Sequence, residues 1–142
     1  MTQTPETLCH ALLDAARKAG ADSADAMAAE GSSLSIEVRD GTLEHAERSE
    51  GVDIGLRVFV GQRQAQVSSS DTRAETLTAM AERAVAMAKE APEDPYAGLA
   101  DAGQLAQNCD LAALQMADPS AEPAPDQLQQ DAHPPSLTPM NA

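Results

Sequence analysis

The chain has 142 residues and a formal net charge of −14, with one Tyr, one Phe and no Trp. This length fits one domain with a tail. The sequence has no run of about 18 apolar residues, which a membrane-spanning helix needs. The first residues lack the basic and apolar segments of a secretory signal. A surface this acidic repels phosphate, and two distant cysteines form no disulfide framework. We therefore expect a cytoplasmic protein that contacts neither nucleic acid nor membrane.

The first helix is predicted to begin at Pro5 and to end before Gly20. Thr4 is a favourable N-cap, proline suits the first helical position and Glu6 complements the helix dipole. Apolar residues recur behind them at helical spacing. Glycine is the usual residue just past a helix end.

The centre of the chain predicts antiparallel strands joined by hairpins. Residues 33–39 alternate between polar and apolar, and Asp40-Gly41 is a strong turn signal. Residues 42–50 then predict a polar strand with Leu43 pointing inward. Residues 52–60 form the clearest strand, because Val52, Ile54, Leu56, Val58 and Val60 share one face; Gly61-Gln62 turns the chain back through residues 64–68. Residues 24–30 stay ambiguous, since their alanines favour helix but the segment is too short for one.

A second helix comes next, with Thr72 and Glu75 in the spacing of a capping box. Lys89 suits its last turn, and Pro92 prevents its continuation. Its apolar stripe comprises Leu77, Met80, Ala81, Ala84, Val85 and Ala88. The fold class is therefore α+β, with a small antiparallel sheet and its hairpins packed against two helices on one face.

Charge and proline separate residues 1–91 from residues 92–142. The first part carries 15 acids and all 9 bases, while the second carries 8 acids, no base and eight of the nine prolines. Such a composition buries too little apolar surface to offset chain entropy. We expect an α+β domain over residues 1–91, then an acidic, proline-rich linker and tail. The tail should be mostly disordered after Met116, with a weak helix over residues 101–115.

The residues suggest no catalytic, cofactor-binding or metal site. Glu44, His45 and Glu47 invite a metal hypothesis, but Glu44 and His45 should point to opposite faces of a strand. His10 and His133 lie in other regions. Cys9 is expected to be a small apolar helix residue and Cys109 an exposed free thiol.

Two glycine and serine patterns have structural explanations. Residues 68–70 are three serines without the glycine or lysine of a phosphate loop, and fit a strand end leading to a helix cap at Asp71 or Thr72. Gly51, Gly55 and Gly61 form no dinucleotide motif, and Gly55 predicts a bulge or a close backbone approach. The strand at residues 52–60 and its hairpin could also offer an edge to an extended peptide, unless Arg63 and Gln64 blunt it.

Three runs of sequence, residues 35–47, 51–65 and 67–71, resemble the amino-terminal domain of the PmbA/TldD family, also known as modulators of DNA gyrase. The helix ending at Lys89 and residues 91–99 resemble the next part of the family's sequence. The similarity covers about residues 8–101 and is closer to the PmbA branch, also called TldE, than to TldD.

This resemblance implies a part of a cytoplasmic zinc-dependent peptidase that works as a two-subunit assembly on peptides. In TldD the zinc is held by a His-Glu-x-x-x-His helix and a later cysteine; this sequence has neither motif, so no site residue carries over. We expect the chain to contribute to subunit assembly through a TldD-like subunit or self-association. Because the similarity stops near Asp101, we also expect a truncated or frame-shifted product. The alternative is a free-standing interaction module or a non-functional gene remnant.

Overall fold

The computed structural model describes residues 3–133. Helix α1 spans Pro5–Ala19, strands β1, β2 and β3 span Ser23–Arg39, Thr42–Val60 and Arg63–Ser69, and helix α2 spans Ala74–Glu90. A 3₁₀ turn at Ala102–Gln104 and helix α3 at Pro125–Asp131 lie beyond α2. The sheet has the order β1-β2-β3, which confirms the predicted α+β class.

Helix α1 begins and ends where the sequence predicts. Thr4 is the N-cap, and the Thr7 N–H donates to its hydroxyl at 3.3 Å. Gly20 ends the helix at φ 97°, in the left-handed region that glycine enters without a steric penalty. Leu8, Leu12 and Ala16 form its buried face.

The sheet is built from long strands joined by two-residue turns. Asp40 and Gly41 both have positive φ, at 50° and 75°, as a tight hairpin turn requires. The β2–β3 register runs without a bulge from Val60↔Arg63 to Ile54↔Ser69. Gly55 lies opposite Ser68 in this regular register, and a Cβ at Gly55 would meet nothing within 4 Å, so the predicted bulge or close approach is wrong.

Two further strand predictions change. Residues 24–30 are strand, because Ala24, Ala26 and Ala28 alternate onto the core while β1 hydrogen-bonds to β2. Strand pairing and this packing outweigh the helix propensity of alanine. Leu43 is 42% exposed and does not point inward as predicted. The residues around it in β2, 42–50, are all exposed, so this part of the strand has no buried core.

Helix α2 buries the whole predicted stripe. Its start differs from the prediction, because the N-cap is Arg73 and no side chain caps there. Asp71 acts instead: its carboxylate accepts hydrogen bonds from the Arg73 N–H at 3.1 Å and the Thr76 hydroxyl at 2.8 Å. A carboxylate two residues upstream thus replaces the predicted capping box.

The chain divides into two compact units. The first comprises residues 3–31 and 51–106 of the described chain, and the second comprises residues 32–50 with the chain from Gln107 onward. The aliphatic core lies in the first unit, where α1 and α2 pack on Ile54, Leu56 and Val58 of β2.

The tail differs in detail from the expectation. The predicted helix over residues 101–115 is wrong: only the 3₁₀ turn at Ala102–Gln104 and hydrogen-bonded turns at residues 111–115 form there. Helix α3 was not predicted. The disorder of residues 92–142 stays a prediction, and residues 134–142 lie outside the described residues.

Candidate functional site

The proposed metal ligands at residues 44–47 separate in the structure. Glu44 pairs with Arg39, with 3.2 Å between Oε1 and Nη1, while His45 Nε2 lies 3.3 Å from Glu47 Oε2. His45 and Glu47 thus share a strand face that Glu44 does not. Across residues 3–133, no group of three or more His, Cys, Asp or Glu side chains is placed to hold a metal ion.

The other singled-out residues take structural positions. Cys9 is half-buried in α1 and Cys109 is exposed, both as free thiols. Ser69 ends β3, and its hydroxyl accepts a hydrogen bond from the Asp71 N–H at 3.0 Å. The serine run is therefore the strand-to-helix connection that the sequence favours.

Of the predicted hairpin, the return strand and not residues 52–60 lies at an edge of the sheet. Strand β2, which contains residues 52–60, is the central strand and pairs on both sides. The two edge strands are β1 and β3. In β3 the apolar Ala65 and Val67 pack toward the core, while Gln64, Gln66 and Ser68 are exposed. An extended peptide could add to the sheet along β3 and not along β2.

A charged and aromatic cluster lies on the sheet face turned away from the helices. The Arg57 Nε donates to Asp25 Oδ1 at 2.9 Å, and its Nη2 donates to the second carboxylate oxygen, so the pair is bidentate. The guanidinium carbon also lies 5.2 Å from the centroid of the Phe59 ring, a cation–π distance. The hydrogen bonds that Arg57 donates to the Asp25 carboxylate raise the pKa of Arg57, which therefore stays charged.

This cluster borders a shallow depression of about 200 Å³. Asp25, Met27, Gly55, Arg57 and Gln66 line it, and the absent side chain of Gly55 leaves its floor open. The Asp25 and Arg57 side chains are 44% and 41% exposed, so both reach solvent. Such a surface can hydrogen-bond a peptide, but Arg57 already neutralises the one carboxylate, which leaves no free general base.

The β2–β3 turn at Gly61 is hydrogen-bonded to residues of the first unit that are distant in sequence. The Asp22 carboxylate accepts the Gly61 N–H at 2.7 Å, and the Gln62 carbonyl accepts the Asp94 N–H at 2.8 Å. Arg63 donates to the Lys89 carbonyl at 2.7 Å and lies 3.4 Å from Glu93. Sequence reasoning missed these residues, because their partners are more than twenty positions away.

Asp71 is the most strongly perturbed acid among the described residues. Hydrogen bonds from the Arg73 side chain and backbone, and then from Thr76, hold its pKa well below the usual range. A carboxylate held by its own helix start is a structural group and a poor proton acceptor.

Comparison with known proteins shows what this fold is similar to. Residues 24–88 match the family described as PmbA/TldA metallopeptidase domain 1. The similarity to a PmbA/TldD first domain covers 65 of the 142 residues. The matched residues include most of β1, all of β2 and β3, and α2 almost to its end.

Two solved structures share the fold of this chain. A candidate modulator of DNA gyrase from Bacteroides thetaiotaomicron aligns at a TM-score of 0.67 and 20% identity over 75% of this chain and 24% of its own. TldE from Thermococcus kodakarensis aligns at 0.56 and 19% over 66% of this chain and 21% of its own. The chain thus spans about a quarter of the length of these proteins. No curated protein sequence matches it, and no helix in residues 3–133 is long and apolar enough to cross a bilayer.

Proposed function

We propose that this chain acts as the amino-terminal domain of a PmbA/TldD-type peptidase subunit and contributes to subunit assembly rather than to catalysis. Its partner would be a TldD-like subunit or a second copy, and the full assembly would act on peptides in the cytoplasm. The observation that carries the proposal is the family match over residues 24–88, which coincides with the sheet and α2.

In this proposal, other parts of the full assembly bind the zinc. A catalytic zinc needs about three protein ligands. In the described part of this chain, the nearest approach to such a set is His45 with Glu47 on an exposed strand, and Glu44 beside them is turned to Arg39. These residues do not fit a zinc site, so no catalytic step is assigned to them.

The partly exposed Asp25–Arg57 pair, which lies over the buried Phe59 ring, is the surface we assign to assembly. A partly exposed bidentate pair over an aromatic ring presents a rigid, planar charge of the kind that anchors protein interfaces. The open floor at Gly55 allows a partner's side chain to approach the backbone of the central strand.

Co-purification with a TldD-like protein from the same cell, followed by a peptide-cleavage assay, tests the proposal. We expect the chain to bind this protein and to cleave no peptide alone. Arg57→Glu should weaken capture at least about tenfold, since like charges then face each other at Asp25. Arg83→Glu, on the exposed side of α2, is the control with the same charge change. Cleavage by the isolated chain would overturn the non-catalytic assignment. Equal capture of both variants would show that the interface does not include Arg57.

The terminal position of β3 favours a second candidate, a free-standing module that binds an extended peptide. NMR titration with extended peptides should then shift the amides of β3 and leave those of α1 in place. If the TldD-like protein binds and no peptide shifts the amide resonances of β3, this second candidate is excluded.

A further inference from the structure

The β1–β2 arm, residues 32–50, carries an apolar stripe on one face. Leu34, Ile36 and Val38 are half-buried, while the residues that alternate with them are exposed. Ser33 Oγ lies 2.8 Å from Ser49 Oγ, which places these two serines together on the opposite face. The residues of the β2 half of the arm are exposed on both faces, so the lower exposure is confined to this stripe of β1.

One leucine of the acidic tail differs from the others in exposure. Leu128 in α3 is half-buried. Leu111, Leu114 and Met116 are 65%, 53% and 71% exposed. Leu128 is therefore the one large apolar side chain among residues 107–133 that is partly shielded from solvent.

The arm and the tail belong to the same compact unit, residues 32–50 with the chain from Gln107 onward. Within the described part of this unit, the stripe and Leu128 are the large apolar side chains that are not exposed. An electrostatic interaction across the same unit agrees with their pairing: the pKa of Arg48 is raised mainly by its hydrogen bond to Glu50, and in addition by the charge of Glu122.

We propose that the stripe of Leu34, Ile36 and Val38 is an interaction surface that the chain's own residues 122–133 occupy, with Leu128 as the anchor. The proposal is independent of the assembly role above. It also differs from the expectation of a tail that is disordered after Met116, because apolar contact with the arm orders the last described turn.

Charge makes this contact weak and reversible. Residues 107–133 carry five acids and no base, and the arm carries five acids against Arg39 and Arg48. The two segments repel each other overall, so apolar burial supplies the attraction and Arg48 selects the position of Glu122. A partner with a larger apolar surface could displace the tail and take the stripe.

Methyl NMR on the full chain tests the proposal. We expect nuclear Overhauser contacts between the Leu128 methyls and those of Ile36 or its stripe neighbours. Leu128→Asp should abolish them, shift the Ile36 and Val38 methyls, and speed amide exchange in α3 by about five- to tenfold. Leu114→Asp is the matched control in the same tail and should leave all three unchanged. Unchanged Leu12 and Val58 signals verify that the core stays folded.

Two results would overturn the proposal. One is an equal effect of both aspartate variants, or no contact of Leu128 with the stripe. The other is a contact that appears only between copies in an isotope-filtered experiment on mixed labelled and unlabelled protein, which would make a second chain the occupant.

Discussion

The two units of the chain differ in how they are held together. In the first, α1, β2 and α2 enclose side chains with little or no exposure, among them Leu12, Leu56 and Val58 at 0%. In the second, none of the described residues is buried, and its ordered contacts are hydrogen bonds, ion pairs and half-buried apolar side chains. Apolar burial is the dominant stabilising term in folding. The first unit should therefore determine global stability, and the second should open locally at small cost.

The largest expected effect is a core truncation in the first unit. Leu56→Ala should lower the free energy of unfolding by about 2–5 kcal/mol, because it leaves a cavity between the sheet and both helices. Leu111→Ala, at a 65% exposed position of the second unit, should change it by less than about 0.5 kcal/mol. Urea unfolding followed by circular dichroism measures both, and similar losses would show that the second unit shares the core.

Matched glycine substitutions test the same contrast at the backbone. Gly20→Ala and Gly41→Ala each force alanine to a positive φ, 97° and 75°, at a cost of about 1 kcal/mol. For Gly20→Ala, we expect a lower free energy of global unfolding. For Gly41→Ala, we expect only faster amide hydrogen exchange in residues 32–50 around it. Gly55→Ala, with open space and an ordinary φ, is the control that should cost nothing.

A double-mutant cycle measures the pair that joins β1 to β2 in the first unit. Asp25→Asn and Arg57→Gln should couple by about 0.5–1 kcal/mol, since both side chains are more than a third exposed and solvent screens them. The cycle Arg39→Gln with Glu44→Gln, in the second unit, should couple less, because that pair is single and more exposed. A larger coupling at Arg39 would reverse the ranking of the two units.

The smallest effect is expected at Asp71. Its folded pKa lies below the value of about 3.9 in an unfolded chain, so its stabilising contribution is present above about pH 4 and is lost as pH falls through the folded pKa. Asp71→Asn should therefore lower stability at pH 7 and converge with the wild type in acid. Asp53→Asn, an exposed position with the same charge change, should show no such convergence.

Local sequence signals predicted much of the first unit. The cap at Thr4, the stop at Gly20 and the stripe of α2 depend on residues within one or two helical turns, and such patterns are legible without the fold. The candidate site was not predictable in this way. Asp25 and Arg57 are 32 positions apart, and their face of the sheet mixes a charge, a glycine and a phenylalanine without a periodic signal.

The sequence by itself determined the α+β class, the two hairpin turns and the aliphatic faces, because turn chemistry and hydrophobic periodicity act over short distances. It also contained the resemblance that the family match over residues 24–88 confirms. Only the tertiary structure decided that residues 24–30 are strand, and that β2 is central with β1 and β3 at the edges. Those outcomes depend on which strands pair and which side chains find a core, and that is a property of the whole packed chain.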